Sequence, residues 1–213
     1  MLRNNRQKVL DFLTFPIRAV TLFEDDKYGL SSLRSERFDY VCREVSGYCL
    51  DIGCGRHNTF IKKYLKNNGL GIDVYPYKGL KKENIVKDLS KLPFKSNNFD
   101  TITFIANVNH IPRKMRKAEL KEAFRCLKPN GKIIVTMGNP IAEVLVHKLV
   151  YLYDKLFKTS FDVDTERGME DEDYYLKDIE ITNLLTRAGF NKIEKKYFAT
   201  QWYLNHQFIA HKS

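Results

Sequence analysis

Two acids and two glycines carry the chemistry most plainly legible in this chain. Asp51 ends a short apolar run, Tyr48–Ile52, and is followed at once by Gly53-Cys54-Gly55. Asp73 ends the next apolar run, 22 residues further on. Glycine lets a backbone approach a ligand closely, and the start of the following helix offers free N–H groups. An acid at the end of the second strand can accept hydrogen bonds from both hydroxyls of a ribose. The pattern therefore suits a nucleotide-like ligand. A dinucleotide fingerprint, G-x-G-x-x-G, would need glycine at position 58, where the chain has Asn58. Asp51 would also repel a pyrophosphate. An acid there favours a ligand carrying positive charge, such as an ammonium group.

These residues need a scaffold, and the pattern around them supplies one. Strands are expected at Tyr48–Ile52, Leu70–Val74, Asn84–Lys87, Phe99–Ala106 and Lys132–Met137, with helices at Thr59–Asn67 and Arg113–Leu127 between them. The run T-I-T-F-I in the fourth strand suggests burial on both faces. Alternating strands and helices imply a parallel, doubly wound sheet. A helix over Ile141–Phe157, an acid-rich loop over Phe161–Asp173 and a helix over Leu176–Ala188 follow. Asn191–Phe198 and Trp202–Ala210 then read as an antiparallel closing pair.

Five segments in ordered succession, L-D-I-G-C-G (Leu50–Gly55), G-I-D (Gly71–Asp73), K-D-L-S-K-L-P-F (Lys87–Phe94), N-N-F-D-T-I (Asn97–Ile102) and R-C-L-K-P-N-G-K-I-I-V (Arg125–Val135), resemble class I S-adenosylmethionine-dependent methyltransferases, and above all their small-molecule branch. The resemblance covers about residues 45–140. It implies an α/β, Rossmann-like, doubly wound sheet of seven strands, mostly parallel with an antiparallel last strand, to which the residues before it add an N-terminal helical extension. It implies S-adenosyl-L-methionine as cofactor and no metal. Gly53 and Gly55, with Cys54 between them, would line the methionine portion, and Asp51 would order that loop or meet the amino group. Asp73, beside Val74, would bind the ribose. Asp88 and Leu89 would meet the adenine, and Asn107 would face the methyl-transfer site. His57 stands where the family often has a third glycine, which makes it a candidate substrate contact.

Methyl transfer is an in-line displacement, so alignment and exclusion of water are the protein's main tasks. An oxygen or nitrogen nucleophile also has to lose a proton, and His110, just past the fourth strand, is the candidate base. His147, His206 and His211 read as structural. The substrate should be chosen by what the common core lacks: a helical extension or lid at residues 1–46, and an insertion at about 138–178 within the methyltransferase domain, residues 47–213. Both are rich in aromatics, and Tyr28 and Tyr151 are candidate substrate contacts. A sugar or glycan precursor and a lipid-like quinone are the expected acceptor classes.

Other features bound the partners. The chain has 213 residues, 43% of them hydrophobic and 29% charged, which fits one globular α/β domain with extensions. Its net charge of +10 fits an anionic partner (nucleic acid, a phosphorylated compound or an acidic membrane surface) and equally a lysine-rich composition whose lysines are simply solvated. An RNA methyltransferase and a non-catalytic cofactor-binding relative are the alternatives. The basic helix Arg113–Leu127 nevertheless places Met115, Ala118, Leu120, Ala123, Phe124 and Leu127 on an expected core side, with its basic residues mostly in solvent. The four cysteines show no zinc spacing and suggest a reducing cytoplasm. No run approaches the roughly 20 apolar residues of a membrane span. Leu2–Phe23 reads as an amphipathic helix broken or bent near Pro16. It suits a helix packed on the domain or over the site better than a basic helix lying on a membrane surface.

Overall fold

The computed structural model describes residues 3–22, 24–139 and 176–213. The expected helix Ile141–Phe157, the acid-rich loop and Tyr151 lie outside them. The described residues form a six-stranded sheet of β1 (Cys49–Ile52), β2 (Gly69–Ile72), β3 (Phe99–Ile105), β4 (Leu127–Gly138), β5 (Asn191–Tyr197) and β6 (Asn205–His211). Its order is β2-β1-β3-β4-β6-β5. The first four strands are parallel, and β6 runs antiparallel to both of its neighbours. The chain leaves β1 toward β2 on one side and returns to β3 on the other. That reversal opens a crevice at the carboxyl end of β1, where ligands of such sheets bind.

Among the described residues six strands stand in place of the expected seven. Asn84–Lys87 makes a single parallel bridge, Ile85 to Asp73, and no strand. The physical reason lies in β2, which ends at Ile72. The Asn84 side-chain amide donates to the Gly71 carbonyl at 2.7 Å, so a side chain takes the place of a ladder bond. The helix expected at Thr59–Asn67 is one π-helical turn, Phe60–Tyr64, stopped by left-handed Lys66 and Asn67. The last strand begins at Asn205 because a 3₁₀ turn, Ala199–Gln201, and left-handed Trp202 and Tyr203 occupy its expected start.

Alternate residues along the strands feed two cores. Leu50, Ile52, Ile102, Phe104, Ile133 and Val135 pack with α3 (Arg113–Cys126) and α4 (Asp178–Ala188). Cys49, Ile105, Ile134 and Ile209 pack on the other face with α2 (Leu33–Glu44) and the Phe60–Tyr64 turn. Burial on both faces explains the continuous apolar reading of β3.

α1 (Asn5–Thr21) precedes this domain and runs unbroken through Pro16. Proline cannot donate to the carbonyl four residues back. That carbonyl, on Phe12, accepts instead from the Trp202 indole N–H at 2.8 Å. α1 turns Asp11 and Arg18 inward, leaves Arg6 exposed and Lys8 half-buried, and sets most of its apolar row outward. Arg18 is buried against the Glu36 carboxylate at 3.0 Å and donates to the Ser31 carbonyl at 2.8 Å and to the Asp11 carbonyl. Asp11 is buried against Arg3 at 3.1 Å and accepts from Ser31 at 3.0 Å. A paired polar seam, with Phe15, therefore docks α1. Val9, Leu10, Leu13, Ile17 and Val20 are exposed.

Candidate active site

The turn after β1 is fixed from two sides. Gly53 has φ +77°, and a Cβ there would overlap the Asn107 side-chain amide. The amides of Gly53 and Cys54 both donate to the Ile72 carbonyl, at 2.8 and 3.0 Å, which ties the turn to β2. Gly55, at φ +67°, donates its amide to Asp73 Oδ2 at 2.9 Å, and a Cβ on it would meet open space. Across the turn, a side chain at Gly71 would run into Asn58 and Cys54. The G-I-D motif thus needs its glycine for packing and its acid for the site.

Asp51 is buried, and Thr103 on β3 donates to its Oδ1 at 2.7 Å. Loss of hydration raises the carboxyl, the Thr103 hydroxyl partly offsets this, and the charge of Asp73 adds to the rise, so the group is pushed up to about 7. No cation stands against it among its described partners. Asp73 accepts from Gly55 at Oδ2 and from the Tyr75 amide at Oδ1, at 3.0 Å. A carboxylate has roughly four lone-pair positions, so capacity for two hydroxyls remains.

At the end of β3, Ala106 takes a left-handed φ of 52° while its amide donates to Thr136 Oγ1 at 2.8 Å. Strain in a non-glycine residue persists where its surroundings over-determine it, and it gathers at functional sites. It delivers Asn107 to Gly53. The Asn107 side-chain nitrogen donates to the Ile52 carbonyl, which fixes the amide orientation and leaves Oδ1 facing the other way, buried and without a partner.

The remaining sequence candidates divide. Asp88 accepts from the Ser90 hydroxyl at 2.6 Å and the Ser90 amide at 2.9 Å, and these bonds hold its carboxyl below the usual range. The Leu89 side chain lies in the core, and Val74 is exposed beside Asp73. His110 closes the 3₁₀ turn Val108–His110, with its amide donating to the Asn107 carbonyl at 3.0 Å. His57 is exposed beside Arg56, whose guanidinium lies 5.9 Å from the Tyr77 ring centre. Tyr28, 93% exposed at a tight turn, shares a cleft with Arg3, Gln7 and Tyr64 and with no residue of the glycine turn. Among the described residues no group of three or more His, Cys, Asp or Glu could hold a metal.

Arg116 is a further residue of the site's surroundings, one that its residue type does not reveal. It is buried and grips the loop after β3, donating from Nε to the carbonyls of Val108 (3.1 Å) and Ile111 (2.8 Å) and from a terminal nitrogen to that of Asn109 (3.0 Å). Glu119 is buried with it, raised to about 7 by desolvation and then by Asp88, whereas Ala118 is exposed. The signal was present in the helical spacing of positions 116, 120, 123 and 127. The charge at the first of them argues for solvent and masks that spacing.

The site is rich in acceptors: Asp51, Asp73 and the orphaned Asn107 oxygen surround a bare glycine turn at the sheet's switch point. The matching ligand presents an ammonium group and hydroxyls, as S-adenosylmethionine does with its amino-acid portion and ribose. Fold and site together define a nucleoside-binding transferase of Rossmann-like architecture. The chain belongs to the class I S-adenosylmethionine-dependent methyltransferases, and residues 50–135 match the family model described as a methyltransferase domain. It is 31% identical over 202 residues to the ubiquinone/menaquinone biosynthesis C-methyltransferase UbiE of Rickettsia bellii (strain RML369-C), covering 79% of this chain and 78% of that one. A methyltransferase structure from Methanosarcina mazei superposes with TM-score 0.54 at 22% identity, over 81% of this chain and 96% of that chain. The 1,6-didemethyltoxoflavin-N1-methyltransferase of Burkholderia thailandensis, holding its substrate and S-adenosylhomocysteine, superposes with TM-score 0.55 at 13% identity, over 98% and 82%. The chain is an enzyme that uses S-adenosylmethionine.

Proposed function

We propose that the acceptor is a small hydroxylated ring of the quinol class, methylated on a ring carbon. The observation that carries this reading is the similarity, along most of the chain, to a quinone C-methyltransferase. It favours the quinone over the sugar and moves the acceptor atom from oxygen or nitrogen to carbon. S-adenosylmethionine, when bound, supplies a methyl carbon that a nucleophile attacks in line, with the sulfur as leaving group. The chain's residues do the rest. Gly53 and Gly55 let the amino-acid portion lie against backbone, and Asp51 and Asn107 Oδ1 accept from its ammonium group. Asp73 accepts from the ribose hydroxyls and Asp88 from the adenine amine. His110 takes the proton of a ring hydroxyl, which places negative charge on the neighbouring ring carbon and makes that carbon the nucleophile; after transfer that carbon loses its hydrogen as a proton, and the ring regains its aromaticity and its hydroxyl. Arg116 holds the His110 loop in place, so removing it weakens catalysis without touching substrate. Nucleic acid is the weaker reading, because Arg116 is turned into the protein and away from the basic face of α3.

The test is turnover with methyl-labelled cofactor and a short-chain demethylmenaquinol, with the product assigned by NMR. A methyl on ring carbon, lost in His110→Gln, is expected. A methyl on oxygen, or turnover only with RNA or a sugar, would overturn the assignment.

A further inference from the structure

The outward face of α1 has no role in anything described above. On a helical projection Val9, Leu13, Pro16, Ile17 and Val20 fall together, with Leu10 at one margin and Phe12 at the other. Val9 is 60% exposed, Leu13 68% and Ile17 64%. From Val9 to Val20 the stripe is roughly 16 Å long at 1.5 Å per residue. Burying such side chains is favourable, so a contiguous row left in water is costly unless something covers it. Docking of the helix does not need the row, since the Arg18–Glu36 and Arg3–Asp11 pairs perform it from the opposite side.

We propose that this face of α1 docks on an anionic lipid surface. The argument is charge complementarity. α1 contains a single acid, Asp11, and it is buried in the seam. The exposed stripe ends at exposed Arg6, with half-buried Lys8 close by, so the outward side presents only apolar, neutral polar and cationic groups. The chain as a whole carries +10. Apolar residues on one face beside cations are what an interfacial helix presents to anionic headgroups. Trp202 extends the stripe sideways: it is 45% exposed and packs on Phe12 and Phe15 with centroids 6.2 and 5.6 Å away. Tryptophan is suited to the boundary between headgroups and acyl chains. A second copy laid on the stripe would set Arg6 and Lys8 against apolar side chains, which disfavours that occupant. Among the described residues no helix is long and apolar enough to cross a membrane, so the contact is peripheral. The inference rests on none of the acceptor chemistry proposed above.

The experiment is flotation of the full chain with vesicles of phosphatidylcholine alone and of phosphatidylcholine mixed with phosphatidylglycerol, without acceptor. Binding to the anionic vesicles, weakening with salt, is expected, together with a blue shift of Trp202, the chain's one tryptophan. Leu13→Glu with Ile17→Glu should weaken vesicle binding by about tenfold or more while S-adenosylmethionine affinity stays unchanged. Arg6→Glu with Lys8→Glu should abolish the preference for the anionic vesicles. No binding to either vesicle overturns the proposal, as does equal binding by the Leu13/Ile17 variant. A dimer in light scattering that the Leu13/Ile17 variant dissolves, without vesicle binding, assigns the face to a second copy. Loss of folding in that variant, with Arg6/Lys8 binding vesicles like wild type, shows that the chain itself covers the face.

Discussion

Asp51 and Glu36 are equally hidden, 2% and 1% exposed, yet they sit in opposite electrostatic situations. Glu36 faces Arg18 at 3.0 Å and the Gln201 amide at 2.9 Å. Its charge is matched inside the chain. Asp51 faces one hydroxyl and the field of a second acid, Asp73. Burying a charge is tolerable when it is paired and costly when it is not. The paired acid therefore fastens α1 and α2 together, and the unpaired one is the acceptor that the proposed site would offer to a cation from outside. The same contrast separates two parts of the polar interior: closed networks hold the N-terminal helix, and open acceptors line the proposed cofactor site.

The largest effect should come from breaking the closed network. Arg18→Met leaves Glu36 buried without its cation and should cost about 3–5 kcal/mol in urea unfolding. A loss below about 1 kcal/mol would mean that the seam does not carry α1.

Asp51→Asn should act in the opposite direction on stability. The Asp51 carboxyl ionises near 3.8 when unfolded and near 7 in the fold. Its contribution to stability is therefore full below about pH 4, falls as pH rises between those values and is lowest above about pH 7. The asparagine variant should match wild type near pH 4 and exceed it near pH 8, by on the order of 4 kcal/mol at most. Thermal unfolding at the two pH values checks the sign; a variant less stable at pH 8 would break the comparison.

Smaller effects test the site and the helix separately. Asp73→Ala should weaken S-adenosylmethionine binding by roughly 10- to 100-fold, the worth of hydrogen bonds to a charged acceptor, and unchanged affinity would refute the ribose role. Trp202→Phe keeps the ring but strands the Phe12 carbonyl opened by Pro16, and should cost about 1 kcal/mol in unfolding.

How much of this was legible in the sequence depends on whether a feature is local. The glycine turn, Asp51, Asp73 and the antiparallel end of the sheet were readable, because turn chemistry and alternating elements leave short-range marks. The third strand was not, since whether Asn84–Lys87 pairs depends on where β2 stops. That α1 packs on the domain was legible, but which of its sides does so was not, for a related reason. Periodicity locates an apolar stripe but does not say which side faces the domain, and here Arg3, Arg18 and Glu36, distant in sequence, decide it. Pro16 misled in the same way: the indole that rescues the helix comes from Trp202. Asn107 was named from a resemblance, and its orphaned oxygen is visible only once Ile52 and Gly53 surround it.

The central claim is that Asp51 is held for the ammonium of S-adenosylmethionine, and its titration gives the most direct test. Binding should be measured by calorimetry between about pH 5 and pH 7.5, in buffers of differing ionisation enthalpy, on wild type and Asp51→Asn. If the ligand's cation requires ionised Asp51, wild-type affinity rises by up to about tenfold per pH unit and levels off near pH 7, with a proton released on binding below that point. The asparagine variant binds more weakly and without this slope. Wild-type binding that is strong and flat across the range, with no proton released, would contradict the account.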